Sequence, residues 1–385
     1  MRQRGIRPLK KILFLVTEDW FFCSHFLDRA VAARQAGYEV TVVTRAGELV
    51  KKITESGLRH VPIAMERRNM NPWREVGMVR RLAEIYRDER PDIVHHVAFK
   101  PIIYGSIAAK LARVPHVINA PVGMGFVFSS SQFKARMVKP LVLFLYRLLL
   151  HPANGRVILE NSDDIAMLAK MGLIDQDRTI LIRGAGVDTS RYVPQPESQG
   201  DPVVILPGRM LWDKGVGEFV DAARQLREQK VTANFILVGQ RDPGNPATIP
   251  VWQLEQWHDS GVVEWWGLCD DMPRVIAESH VVCLPSYREG LPKALIEAAS
   301  CGRAIVTTDV PGCREVVKNE DNGLLVPAHD AAALAAALRR LIMSPALRQY
   351  LGERGREIAV AEFALEKVVD QTLEVYREML SANSH

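Results

Sequence analysis

No stretch of this 385-residue chain is apolar for long enough to cross a bilayer as a helix. A helical integral membrane protein is therefore not expected. Met1 to Lys11 is basic, but the apolar run behind it, Ile12 to Val16, is too short for the core of a secretory signal, so no signal peptide is expected. Cysteine is scarce and unpaired in pattern. Cys23, Cys269, Cys283, Cys301 and Cys313 make an odd count with no CxxC, which fits neither a zinc site nor a disulfide framework. Buried free thiols in a cytoplasmic protein are the expectation. The first strand candidate runs into Glu18-Asp-Trp-Phe-Phe22 with no GxGxxG, which argues against a dinucleotide oxidoreductase. No Asp-x-Asp that could hold a divalent cation follows a strand. Internal repeats and low-complexity tracts are absent too.

One absence is local. Between Ile93 and Leu159 there is no acidic residue, while Lys100, Lys110, Arg113, Lys134, Arg136, Lys139, Arg147 and Arg156 fall inside that stretch. Residues 1–190 carry 29 Lys and Arg against 18 Asp and Glu, and the remainder carries 20 against 27. A field of one sign over the first half points to an anionic partner. Nucleic acid is not expected, because Phe126, Phe128, Phe133 and Phe144 sit among apolar residues and form no stacking platform.

What is present is an alternation of strands and helices. Strand candidates are 11–16, 39–44, 92–97, 116–120, 156–160 and 179–182, then 203–207, 234–239, 262–266, 281–285 and 304–308. Short apolar runs bounded by turn residues are what strands buried on both faces of a parallel sheet look like. Helical patterns lie between them, at 25–36, 71–90 and 163–171, the last with Ser162 as N-cap and Gly172 as C-cap. Helices at 331–342, 345–360 and 364–380 end the chain. The stretch from Gly184 to Pro202 is rich in Gly and Pro and lacks apolar periodicity, which marks a linker. The expected fold is α/β: two facing, doubly wound, Rossmann-like domains, residues 1–190 and 191–363, with 364–380 crossing back onto the first. Ligands in such sheets sit beyond the carboxyl ends of the strands, so the polar residues there are the candidates.

Two segments stand out. Gly208-Arg-Met-Leu-Trp-Asp-Lys214-Gly follows the strand 203–207 directly. A glycine and two cations five apart on such a turn suit a diphosphate, although two solvated surface cations would look the same. Tyr287-Arg-Glu289-Gly-Leu-Pro292-Lys-Ala-Leu-Ile-Glu297 follows the strand 281–285. Pro292 is placed as the first residue of a helix whose free N–H groups favour phosphate. Glu289 and Glu297 can accept hydroxyl hydrogen bonds from a sugar or ribose. Glu297 also lies four residues after Lys293, so a local ion pair explains it equally well.

Together with Gly239, Gly302, Val310-Pro-Gly312-Cys-Arg-Glu315 and Asn322-Gly323-Leu-Leu-Val, these segments resemble the signature of the retaining glycosyltransferase family four, whose fold is the two-domain B type. The resemblance implies that Gly208, Arg209 and Lys214 meet a donor diphosphate and that Glu297 takes the ribose. It implies that Glu289 contacts the transferred sugar, with Gly290, Leu291, Pro292 and Lys293 cradling sugar and phosphate. The base would lie near Gly267 and Leu268. Glu289, Arg209 and Lys214 are then the catalytic candidates. No cofactor beyond the nucleotide-sugar donor, expected to be a UDP-sugar, is implied, and no metal.

The first half is less specific. Asp19 and His25 follow the first strand, His96 and Lys100 follow another, and Asn119 stands where relatives often place a histidine. These are the candidates for acceptor contact. This half is most similar to relatives that extend undecaprenyl-diphosphate-linked sugars, which implies a lipid-linked glycan acceptor. The segment Phe133 to Leu150 is basic and then apolar, and suits a helix lying on an anionic membrane at the inner face of the plasma membrane. A buried core helix would share its apolar half. A soluble or lipopolysaccharide acceptor, and a catalytically silent membrane-binding scaffold, remain as alternatives.

Overall fold

The computed structural model describes residues 9–65, 72–122, 133–150 and 154–381. The chain divides into two compact units, 1–185 with 368–385, and 186–367.

The first unit is built on seven parallel strands in the order β3-β2-β1-β4-β5-β6-β7. They are β1 (Lys11–Glu18), β2 (Glu39–Arg45), β3 (Arg59–Pro62), β4 (Ile93–Val97), β5 (His116–Ala120), β6 (Gly155–Leu159) and β7 (Thr179–Leu181). The continuous apolar runs are explained by burial on both faces. Ile12, Phe14 and Val16 of β1 pack into one layer, and Leu13 and Leu15 into the other. The second unit has six strands in the order β10-β9-β8-β11-β12-β13. These are β8 (Val203–Pro207), β9 (Asn234–Val238), β10 (Glu264–Gly267), β11 (Val281–Leu284), β12 (Ala304–Thr308) and β13 (Leu324–Val326). The same alternation puts Cys283 into an apolar layer beside Val281. All five cysteines are free, with Cys23, Cys283, Cys301 and Cys313 buried and Cys269 half-buried.

In each sheet the strand order reverses once, between β1 and β4 and between β8 and β11. Loops leaving neighbouring strands on opposite faces part there and open a crevice. The switch point thus fixes where each unit presents its strand-end residues.

Three sequence expectations need correction. The helix at 25–36 is Leu27–Gln35, and buried Phe26, at φ −127°, separates it from an additional helix before it, Asp19–His25. The N-cap of Ser162–Lys170 is Asn161, whose side chain accepts the Asp164 N–H at 2.8 Å. Pro292 sits in the N-cap position, and the helix proper is Lys293–Ser300. The edge strands β3 and β13 are additional. They are only four and three residues long, too short to leave a periodic signal.

The last helix, Leu365–Ser381, buries Val368, Leu373, Val375, Tyr376 and Met379 in the core of the first unit. Its Tyr376 hydroxyl and His95 Nδ1 on β4 are 3.0 Å apart, a buried hydrogen bond.

Candidate functional site

The β8/β11 switch point of the second unit gathers the charged residues. Gly208 follows β8, and the chain then makes a turn, Trp212–Lys214, before the helix Val216–Glu228. Gly215 ends that turn at φ 71°, and a Cβ there would lie 2.1 Å from the Pro285 carbonyl oxygen. Only glycine lets the two loops approach this closely. The approach brings Lys214 Nζ to Glu289 Oε1 at 2.5 Å, where Ser286 Oγ also donates at 2.6 Å. The loop bearing Glu289 is backed in the same way by Gly312, at φ 80°, where a Cβ would lie 2.5 Å from the Gly290 carbonyl oxygen. Tyr287 donates its hydroxyl to Glu218 at 2.7 Å and its N–H to the Asp213 carbonyl at 3.0 Å, tying the two loops a second time.

Arg209 reaches a partner that sequence reasoning missed. Its Nη1 donates to Asp242 Oδ2 at 2.6 Å. Asp242 lies in the turn-rich run Gln240 to Pro250 after β9; an acid after a strand and before a Pro-Gly turn was the available signal. Glu297 lies on the buried face of Lys293–Ser300. The local ion pair of Glu297 with Lys293 is present. Its Oε1 is 3.6 Å from Lys293 Nζ, and the Tyr192 hydroxyl also bonds to it. Burial raises its carboxyl above the usual range, while Lys293 and Tyr192 pull the other way. Leu291 and Pro292 are buried, Gly290 and Lys293 half-buried, and Leu268 beyond β10 is exposed.

At these strand ends Arg209 and Lys214 each pair with a carboxylate. Such an arrangement can exchange carboxylate partners for phosphate oxygens and leave the carboxylates to hydroxyl groups.

The first unit treats its candidates differently. His96 Nδ1 is 2.9 Å from Asn119 Oδ1, and His96 Nε2 is 3.0 Å from the Tyr86 hydroxyl. Asn119 Nδ2 donates to the Leu149 and Leu150 carbonyls at 3.0 Å each, which turns its Oδ1 toward the ring. His96 Nδ1 therefore carries the proton, and Nε2 accepts from Tyr86. Burial pushes this imidazole down to about 4. Both residues are fully buried, which corrects the expectation that they meet the acceptor. Asp19 is buried as well, and its carboxylate accepts the Trp20 and Leu49 N–H groups at 2.8 Å. Its geometry is that of a loop clasp. His25 is half-buried and stacked on Phe21, with ring centroids 4.3 Å apart. Lys100 pairs with Glu75 at 3.2 Å. Residues Gly123 to Gly125, and the side chains of Lys134, Arg136 and Lys139, lie outside the described residues. The helix Phe133–Leu149 does show Phe144, Arg147 and Leu148 to solvent, while Val142 and Tyr146 are buried. Among the described residues no helix is long and apolar enough to cross a membrane.

A family model described as "Glycosyl transferase 4-like" matches residues 11–160, and one described as "Glycosyl transferases group 1" matches residues 201–344. The chain is 28% identical to N,N'-diacetylbacillosaminyl-diphospho-undecaprenol alpha-1,3-N-acetylgalactosaminyltransferase of Campylobacter jejuni, over 84% of this chain and 86% of that protein. It is 27% identical to UDP-Gal:alpha-D-GlcNAc-diphosphoundecaprenol alpha-1,3-galactosyltransferase of Escherichia coli, over 81% and 82%. Among solved structures, the sucrose-phosphate synthase of Thermosynechococcus elongatus superposes with a TM-score of 0.80 at 21% identity, covering 97% of this chain and all of that one. Anabaena HepE in complex with UDP and glucose gives 0.77 at 18%, covering 96% and 99%. At these identities the structures speak for the fold alone.

Proposed function

For a chain that belongs to the family four-like, group 1 glycosyltransferases and carries their two-domain B-type fold, we propose the retaining transfer of an N-acetylhexosamine from a UDP-sugar to an undecaprenyl-diphosphate-linked glycan. The reading rests above all on the strand ends at the β8/β11 switch point, where Arg209 pairs with Asp242 and Lys214 with Glu289. The names of the Campylobacter and Escherichia relatives support the acceptor class.

In this reading the donor diphosphate takes Arg209 and Lys214 as partners. Lys214 thereby releases Glu289 to the hydroxyls of the transferred sugar. Glu297 receives the ribose, and the base lies near Gly267 and Leu268. The acceptor hydroxyl oxygen bonds to the anomeric carbon on the face the diphosphate leaves. The bond from that carbon to the phosphate oxygen breaks with its electron pair. The hydroxyl proton passes to the departing phosphate oxygen, whose charge Arg209 and Lys214 stabilise. No resident metal takes part. The enzyme works on the cytoplasmic face of the membrane, with Phe144 and Leu148 entering the interface and Arg147 meeting lipid phosphate.

The test is an assay with UDP-N-acetylgalactosamine, UDP-N-acetylglucosamine and UDP-galactose, chelator present, on a synthetic undecaprenyl-diphosphate-linked amino sugar. The expected product carries one added N-acetylhexosamine in the donor's own anomeric configuration. An inverted product, or turnover that needs added metal, would contradict the mechanism. Transfer only to water-soluble sugars would contradict the acceptor.

A further inference from the structure

We infer that Asp242 is a positioning residue for the donor diphosphate, acting through Arg209. The inference rests on the donor-site reading and adds to it a residue outside both signature segments.

The two cations of the crevice are held in different ways. Lys214 meets Glu289, which belongs to the loop after β11 and shares its oxygen with Ser286. That partner's loop is tied to the Lys214 segment through Tyr287, by its N–H to the Asp213 carbonyl and its hydroxyl to Glu218. Asp242 sits on a loop fastened to the very residues that follow Arg209. Met210 N–H donates to the Gln240 carbonyl at 2.9 Å, Trp212 N–H to the Ala247 carbonyl at 2.8 Å, and Ile249 N–H to the Met210 carbonyl at 3.0 Å. Thr248 forms a bridge with Leu211. Inside the loop, Asp242 N–H donates to Thr248 Oγ1 at 3.3 Å, Asn245 N–H to the Asp242 carbonyl at 2.8 Å, and Arg241 Nε to the Ile249 carbonyl at 2.8 Å. Asp242 and Arg209 therefore move as one body.

The exposures agree. The Asp242 side chain is 14% exposed and that of Arg209 is 41% exposed. The carboxylate is the fixed member and the guanidinium the one facing outward. A guanidinium is planar, so a partner fixed on Nη1 fixes the plane in which its other N–H groups point. Asp242 thus restricts the rotamers of the half-exposed Arg209 and helps to aim it at a two-phosphate target. A carboxylate near a phosphate site repels the phosphate, and here the orientation it imposes outweighs that repulsion.

The experiment is a double-mutant cycle on the full chain, read by isothermal titration. The ligand is whichever of UDP, GDP, ADP and dTDP the wild type binds best. Asp242→Ala should weaken binding about tenfold, within the range of coupled neighbours. Arg209→Ala/Asp242→Ala should bind no more weakly than Arg209→Ala alone. Asp242→Asn keeps the shape but not the charge; it should also bind more weakly, and it carries the test if the alanine variant does not fold. Unchanged or tighter binding in the folded Asp242 variants would overturn the inference, as would effects that add fully with Arg209→Ala. If Arg209→Ala alone binds like the wild type, it is the donor-site reading that fails.

Discussion

The two units share a parallel sheet with one reversal of strand order, and use it in opposite ways. Beyond β8 and β11 the switch point carries Arg209, Lys214 and Glu289, all half-buried and ion-paired. On β4 and β5 the first unit carries His95, His96 and Asn119, all fully buried and bonded inward to Tyr376, Tyr86 and main-chain carbonyls. A polar residue near a strand's carboxyl end is thus a site candidate only when its hydrogen bonds can be exchanged with a ligand. Where they close on the protein itself, the same residue holds the fold.

The sharpest way to break this comparison is to remove a charge from one unit and watch catalysis. Lys214→Ala should lower turnover by two orders of magnitude or more, since such charge stabilisation is worth roughly 3 kcal/mol; a variant with wild-type turnover in a steady-state assay would break it. Next is a buried polar group of the first unit. Asn119→Ala leaves the His96 N–H and two carbonyls without their partner. Chemical denaturation should show a loss of about 2 kcal/mol, with nucleotide affinity intact in the protein that remains folded. A fully stable variant with impaired acceptor kinetics would return Asn119 to the acceptor site. Smaller is Tyr376→Phe, which removes the single bond to His95. It should cost about 1 kcal/mol in the same measurement, with no change in donor affinity.

The smallest effect sharpens the comparison within the second unit. Burial raises the Glu297 carboxyl above its ordinary value. The folded state therefore holds this proton more tightly than the unfolded chain. The contribution is present below the ordinary glutamate range and is lost as pH rises through the raised value. Glu297→Gln should gain stability relative to the wild type as pH rises across that window. Paired thermal melts from acid to neutral pH check this, and a gap that stays flat would mean that Lys293 and Tyr192 cancel the burial.

Much of the fold was legible because strands buried on both faces leave continuous apolar runs, as in 11–16 and 203–207. The edge strands Arg59–Pro62 and Leu324–Val326 were not, being only four and three residues long. The two signature segments were legible as segments because a close-packed turn demands its glycines at fixed positions. Asp242 was hidden because its role arises only when the loop after β9 folds back onto Met210 to Trp212. His96 and Asn119 were misread for the converse reason. A single chain does not reveal that Leu149 and Leu150, some thirty residues on, supply the carbonyls that turn Asn119 inward.

The central claim, that the β8/β11 crevice binds the donor's diphosphate, is tested most directly by titrating UDP into the wild type and into Arg209→Ala/Lys214→Ala without metal. The account predicts a single saturable site in the wild type and its loss in the folded double variant. Equal affinity in both would place the nucleotide elsewhere and contradict the account.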